Sequence, residues 1–419
     1  VVFAAPVHQR NADVEHPYRQ ESDFFYLTGF EEPGAVAVFG SKESEFCLFV
    51  RPKDPHKEVW EGRRAGKEGA LRDYGATRAE SIDELGSLLP ELLAGHEEVA
   101  FFWGREDEWD QTIFKSIQQV KRQKRTQQAP LLLRDASSLI HEMRVHKSPF
   151  ELEQMTQAAY LSADAHRAAM KKCRPGLTEF HLQIELERVF REGGSRREAY
   201  ESIVGSGDNA TILHYRENSA SLKEGDLVLI DAGCELDYYS SDITRTFPVS
   251  GRFSPEQKQL YEIVLEAQIA AVDAAVVGAT MDQVHRAAVL SMIPALVGRG
   301  IIDASLDPDA QEERLKAFFM HKTSHYLGMD VHDVGAYFVD GAPRKLAEGM
   351  VITVEPGLYI AHDDMSVAEQ YRGIGIRIED DIAITEEGPM NLSARAPKTV
   401  AEIEEACQLK GPSRVAGSI

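Results

Sequence analysis

Several short apolar runs in the C-terminal half of the chain end in a carboxylate, and this pattern constrains the fold more than any other feature. GDLVLIDAG closes on Asp231, GMVITVEPG on Glu355 and GIGIRIEDD on Glu379. Asp242 follows the first run in SSDITRTF, and His325 lies in HKTSHYLGMDVHD. A carboxylate at the end of a buried strand is costly unless its charge is compensated. Ordinary surface placement accounts for any one of these acids, since the chain has 68 of them. It does not account for the whole set in such contexts. The fold is therefore expected to bring these segments to one point, where a shared cation offsets the charge.

The helical segments suggest how this happens. Ser148-Pro149-Phe150-Glu151 opens a long predicted helix that ends near Pro175-Gly176. Ser148 caps it, Pro149 suits its first position and Glu151 completes a capping box. Thr178 then caps a second helix, which stops at Gly193-Gly194. Ser254-Pro255-Glu256-Gln257 starts the pattern again, and Thr280 with Gln283 starts the partner helix. Asp231 and Asp242 follow the first pair; His325, Glu355 and Glu379 follow the second. Two helix-pair-plus-sheet units facing each other predict a single cleft. Within Ile374-Gly375-Ile376-Arg377-Ile378-Glu379 the isoleucines alternate at period two. That places Arg377 and Glu379 on the opposite face, where a guanidinium can orient a ligating carboxylate. By the same rule Asp242, Thr244 and Thr246 share a strand face.

At 419 residues, two domains are expected. Before the first long helix, EFCLFV and EEVAFFWG alternate with helical stretches such as SIDELGSLLPELL, an α/β pattern. The expected division is 1–145, 146–410 and a disordered tail at 411–419. Trp60, Trp103 and Trp109 read as core or interface residues. The formal charge of −22 argues against binding nucleic acid through its phosphates. The one basic run, Lys121 to Arg125, reads as a solvated face. No apolar stretch approaches the roughly 20 residues needed to cross a bilayer. The chain begins with Val rather than Met, so its true start is expected upstream. Cys47, Cys173, Cys234 and Cys407 form no CxxC pair, which favours a reducing cytoplasm over disulfides or a thiolate metal site.

One imidazole with four carboxylates suits hard divalent ions, Mn²⁺ above all, with Co²⁺ or Zn²⁺ also compatible. A single zinc ion would leave some of these ligands without a role. Bridging carboxylates hold two ions roughly 3.5–4 Å apart, the spacing of two-metal hydrolysis.

The segments ILHY, LIDAGCELDYYSSDITRTFPVSGRFS, FFMHKTSHYLGMDVHDVG, VITVEPGLYI and YRGIGIRIEDDI resemble the signature blocks of the bacterial aminopeptidase P (Xaa-Pro aminopeptidase) family. That family belongs with prolidases and methionine aminopeptidases among the pita-bread metallopeptidases. HPYRQESDFFYLTGF and VWEGRRAG are similar to its creatinase-type N-terminal domain. The resemblance covers nearly the whole chain; it departs at the start, which lacks an expected leading helix, and at Gly411 to Ile419. It implies an α+β fold: a C-terminal pita-bread domain (duplicated helix pair plus antiparallel sheet) preceded by an N-terminal α/β domain.

The resemblance also implies roles. Asp231 binds one metal with both oxygens, Asp242 and Glu379 bridge two ions, and His325 and Glu355 complete the other. Glu355 also relays protons. His332 holds the substrate carbonyl or developing oxyanion. His214 and His321 line the pocket for the proline side, and His214 counts with Glu355 and His332 among the catalytic residues. Arg377 and Tyr359 orient Asp231. Asp23 and Trp60 reach a neighbouring subunit's site in a homo-oligomer, dimer or tetramer. The implied reaction removes an N-terminal residue that precedes proline. A dipeptidase restricted to Xaa-Pro is the alternative, and a non-catalytic peptide-binding protein on the same fold a remote one.

Overall fold

In a computed structural model of the chain, residues 1–40, 45–123, 125 and 127–408 are described; Lys124 of the basic run and the expected tail lie outside them. The chain divides into two compact units, Val1–Met143 and Arg144–Ile419.

The N-terminal unit is α/β. EFCLFV supplies the strand Phe46–Val50, which lies between Val36–Phe39, antiparallel to it, and Arg78–Ser81, parallel to it. A parallel neighbour requires a crossover, and the helices Pro55–Glu61 and Gly66–Asp73 form it. Ser81 caps the 3₁₀ turn Ile82–Glu84, which runs on into the helix Leu85–Leu93. Leu89 and Leu93 of that helix pack with Phe49, Phe101 and Ile113. Trp109 stacks on Phe3 with ring centroids 5.3 Å apart, in keeping with a core role. Trp103 and Trp60 are not core residues, being 56% and 88% exposed. Trp60 sits on Pro55–Glu61, a surface helix with no buried residue. Lys121 and Arg122 are exposed in the last turn of Asp107–Arg122, where cations meet the negative end of the helix dipole.

The C-terminal unit is built from the expected repeat. Ser148 and Glu151 form a capping box on Pro149–Lys172, and the helix Glu179–Glu192 follows Thr178. Ser254 with Gln257 and Thr280 with Gln283 form the same device on Pro255–Ala274 and Met281–Gly298. Each half then contributes a three-stranded antiparallel sheet. In the first, Leu227–Asp231 lies between Ile203–Ser206 and Thr244–Pro248. In the second, Asp380–Thr385 lies between Val351–Val354 and Gly388–Asn391. A hairpin of Gly357–Ile360 with Ile374–Arg377 completes the second half. Helices and sheets of both halves share one hydrophobic core, with Phe190, Ile230, Val264, Ile352 and Ile382 fully buried in it. All four cysteines are free. Among the described residues no helix is long and apolar enough to cross a membrane.

Candidate metal centre

Strand ends position the carboxylates. Asp231 is the last residue of Leu227–Asp231, in register with Thr244 on the neighbouring strand. Asp242 lies ahead of Thr244–Pro248 rather than within it, so only Thr244 and Thr246 share the expected strand face. Gly233 permits the close approach between the two acids, because a Cβ there would lie 1.7 Å from Ser241 O. Glu355 directly follows Val351–Val354. The period-two pattern predicts Glu379 on the strand with Arg377, but the structure does not place it there. The hairpin strand ends at Arg377, and Glu379 occupies the crossing to Asp380–Thr385, where the chain changes sheets. His325 lies outside any strand. Its segment is held by Thr353 N–H donating to His325 O at 3.0 Å and His325 N–H donating to Thr353 Oγ1 at 3.2 Å.

The two halves meet through Glu379 N–H, which donates to Thr244 O at 3.1 Å. Asp231, Asp242, His325, Glu355 and Glu379 thus line one cavity of about 270 Å³, together with His214, His321, His332 and Arg377. A larger cavity of about 450 Å³ in the N-terminal unit has a mainly aliphatic lining, including Val38, Leu92 and Ile140. The smaller cavity holds the chemistry.

Asp242, His325 and Glu379 each offer a ligand atom within 4.8 Å of the others. His325 Nδ1–H donates to Tyr326 O at 2.9 Å, which leaves Nε2 facing Asp242 Oδ2 at 3.4 Å and Glu355 Oε1 at 3.7 Å. A backbone acceptor on one ring nitrogen is the usual way to fix the tautomer of a ligating histidine. Burial opposes the charged form of His325, but Asp242 outweighs it and raises the pKa to about 9. The same pairing overcomes burial at Asp242 and lowers its pKa. Burial raises Glu355 to about 7. Burial and the charges of Asp242, Glu355 and Asp231 push Glu379 well above the carboxylate range. The protein's own cations do not neutralise this crowding. The donor set, hard oxygens with one imidazole, fits divalent cations.

Arg377 organises the surroundings. Its Nη2 donates to Asp231 Oδ2 at 2.6 Å, its Nη1 to Tyr359 OH at 2.9 Å and its Nε to Thr244 Oγ1 at 3.0 Å. Thr244 Oγ1 in turn donates to Glu379 Oε2 at 2.6 Å. Tyr359 therefore acts on Asp231 through Arg377. His321 lines the cavity, but protein partners engage both its nitrogens. Nδ1–H donates to Lys322 O at 2.7 Å, and Nε2 lies 2.9 Å from Tyr359 OH. Burial and the Arg377 charge lower its pKa to about 4, so neutral Nε2 accepts from the tyrosine. His214 and His332 are exposed on the cavity wall. Asp23 and Trp60 belong to the N-terminal unit. There Asp23 is buried and held by Arg105 Nη2 at 3.0 Å and His141 Nε2 at 3.2 Å.

Two contributors escaped the sequence reading. The Tyr200 hydroxyl lies 2.6 Å from Asp231 Oδ1 and also against Asp242 Oδ1, touching both acids. Burial and those two charges push its pKa well above the phenol range. Its segment, AYES, carries no motif; Ala199 N–H donating to Gly233 O at 2.9 Å brings it to the site. Fully buried Arg245 donates from Nη1 to Glu379 O at 2.6 Å and from Nη2 to Asp380 Oδ1 at 2.7 Å, fixing the sheet crossing that carries Glu379. Its place in TRT gave a strand signal only.

Comparison with known proteins points to a metallopeptidase. Residues 153–386 match metallopeptidase family M24, and residues 1–101 match the aminopeptidase P N-terminal domain. The chain belongs to metallopeptidase family M24. Within M24, it is 45% identical over 408 residues to Xaa-Pro aminopeptidase of Escherichia coli K12, covering 96% of this chain and 92% of that protein. Its structure is similar to that of aminopeptidase PepP of Pseudomonas aeruginosa, with a TM-score of 0.94 and 49% identity over 97% of this chain and 92% of that one. It is also similar to E. coli aminopeptidase P with the inhibitor Pro-Leu, with a TM-score of 0.92 and 45% identity over 97% and 92% of the two chains. The duplicated C-terminal unit is accordingly the pita-bread fold of M24, preceded by the aminopeptidase P N-terminal domain.

Proposed function

We infer that the chain hydrolyses the peptide bond between an N-terminal residue and a following proline. It is a metallo-exopeptidase, an aminopeptidase P rather than a dipeptidase. The observation that carries this is the convergence of Asp231, Asp242, His325, Glu355 and Glu379 on one cavity, in a chain whose relatives over nearly their full length are Xaa-Pro aminopeptidases. A ligand set retained in full also argues against a non-catalytic peptide binder.

In this reading Asp231, Asp242, His325, Glu355 and Glu379 would hold two divalent ions, with Asp231 serving one, His325 and Glu355 the other and Asp242 and Glu379 both, and Mn²⁺ would be the resident species. Bound ions supply polarisation of the scissile carbonyl and acidify the attacking water toward neutrality. The chain's own groups do the rest. Arg377 holds Asp231 in orientation, and Tyr359 holds Arg377. Glu355 takes the proton of the attacking water and passes it to the leaving nitrogen. His332 donates an N–H to the carbonyl oxygen as charge grows there. His214 and the ring face of His321 wall the proline side. The Xaa-Pro amide has no N–H, and none of these roles requires one.

Asp23 and Trp60 are assigned to a neighbouring subunit's site in a dimer or tetramer. The 88% exposure of Trp60 supports a contact outside its own chain. A cytoplasmic location suits the free cysteines. The test is a peptide panel with Mn²⁺-loaded protein: Xaa-Pro-peptides of three or more residues should lose their first residue far faster than Xaa-Pro dipeptides. A preference for the dipeptides would overturn the assignment.

A further inference from the structure

We infer that the buried ion cluster of Asp333 with Arg144 and Lys147 sets the position of the His332 imidazole and is thereby a positioning device for turnover. This rests on the reading of His332 as the donor to the substrate carbonyl.

Asp333 follows His332 directly in the chain. Lys147 Nζ donates to its Oδ2 at 2.8 Å and Arg144 Nη2 to its Oδ1 at 2.6 Å. Arg144 Nη2 also reaches Asp330 Oδ2 at 2.8 Å, so one guanidinium binds both acids of the MDVHD segment. The side chains of Lys147 and Asp333 are each 1% exposed, and that of Arg144 is 2% exposed. The carboxylate is thus clamped on both oxygens out of water, while the imidazole one residue earlier is exposed in the cavity. Burial disfavours the Asp333 carboxylate, yet Lys147 and Arg144 hold its pKa below the usual range.

The backbone closes around the same point. Asp333 N–H donates to Tyr326 O at 2.9 Å, and Gly328 N–H donates to Asp330 O at 3.1 Å. Gly328 is pressed so near that a Cβ there would lie 2.2 Å from Asp333 Oδ2. Lys147 is itself fixed, since its N–H donates to Gly349 O at 2.8 Å just before the Ser148 cap. The loop that begins at the ligand His325 therefore ends at a rigid anchor beside His332. Buried ion pairs are weak sources of net stability, and apolar replacements often match them. What this cluster supplies is a fixed backbone position for the residue before Asp333. Misplacing a reacting group by about 1 Å can cost on the order of 10²-fold in rate.

The experiment is a double-mutant cycle on the metal-loaded enzyme, with Lys147→Met and His332→Ala singly and together and Lys147→Arg as the conservative control. Lys147→Met should lower kcat on an Xaa-Pro-peptide by roughly tenfold to a hundredfold. Metal content should be unchanged and KM within about twofold of the parent, because the clamp acts on a donor used in the transition state. Lys147→Arg should recover most of the loss. In the His332→Ala background, Lys147→Met should cost nothing further. Losses that multiply in the double variant, with His332→Ala itself slow, would overturn the positioning role alone. Normal turnover in His332→Ala would remove the His332 reading and this inference with it. An unchanged kcat with a lower melting temperature in Lys147→Met would make the cluster purely structural. Should Lys147→Met fail to fold, Asp330→Asn loosens Arg144 from a more exposed site. It should give a smaller loss of kcat that likewise vanishes beside His332→Ala, and additivity there would overturn the proposal equally.

Discussion

The imidazoles of His325 and His332 meet edge to face, their centroids 4.4 Å apart and their planes at 73°. Nε2 of His325 is turned toward Asp242 and Glu355. Burial and the neighbouring His325 charge lower the pKa of His332, and a neutral imidazole carries one N–H to donate. His332→Ala should therefore keep its metal and its fold while turnover falls by about 10²–10³, the usual cost of losing one such donor. Melting curves, metal analysis and steady-state kinetics on this variant decide the matter. Normal turnover with reduced stability would assign His332 to the scaffold.

Chelation should abolish activity, and Mn²⁺ should restore it most effectively. Asp242→Ala and Glu379→Ala should each lose bound metal as well as activity, because both acids face the shared cluster with His325. Metal content by mass spectrometry checks this. Two ions per chain in either variant would rule out the bridging assignment.

Tyr200→Phe removes the hydroxyl shared by Asp231 and Asp242 while keeping the ring. Groups that orient metal-binding carboxylates typically affect affinity or activity by about 10–100-fold. The variant should need correspondingly more Mn²⁺ for half-maximal activity and melt close to the parent when saturated. A metal titration indistinguishable from the parent's would show that the hydroxyl is dispensable.

His166 gives a pH dependence. It is fully buried, and its Nε2–H donates to Ala232 O at 3.0 Å. Burial lowers its pKa to about 4, against roughly 6.5 unfolded. Between those values the unfolded chain binds the extra proton, so this contribution to stability is complete above about pH 6.5 and declines as pH falls toward 4. The loss is on the order of 3 kcal/mol. His166→Gln keeps a donor for Ala232 without the titration. Urea unfolding across that window should show a shallower pH slope for the variant, and parallel slopes would refute the assignment.

The sequence by itself determined the repeat and the four acids and one histidine that meet at one cavity. Ser148/Glu151, Ser254/Gln257 and Thr280/Gln283 are local devices whose partners lie three residues apart, so each capping box was legible before any tertiary contact was known. Asp231 and Glu355 were legible because an acid closing an apolar run carries a desolvation cost that demands compensation. Local periodicity misled where the chain changed partners. The alternation through Ile374 to Glu379 is real, yet the strand stops at Arg377 because Glu379 already belongs to the crossing held by Arg245 and Thr244. Tyr200 and Arg245 carry no local signal of these roles, since the partners concerned stand far along the chain and hydrogen bonds to them exist only once both sheets are assembled. The same holds for the clamp on Asp333, whose cations come from residues 144 and 147. Chemistry that resides in one residue type at a strand end can be read from a sequence. Orientation depends on which distant groups fill the remaining lone pairs, and tertiary packing alone decided that.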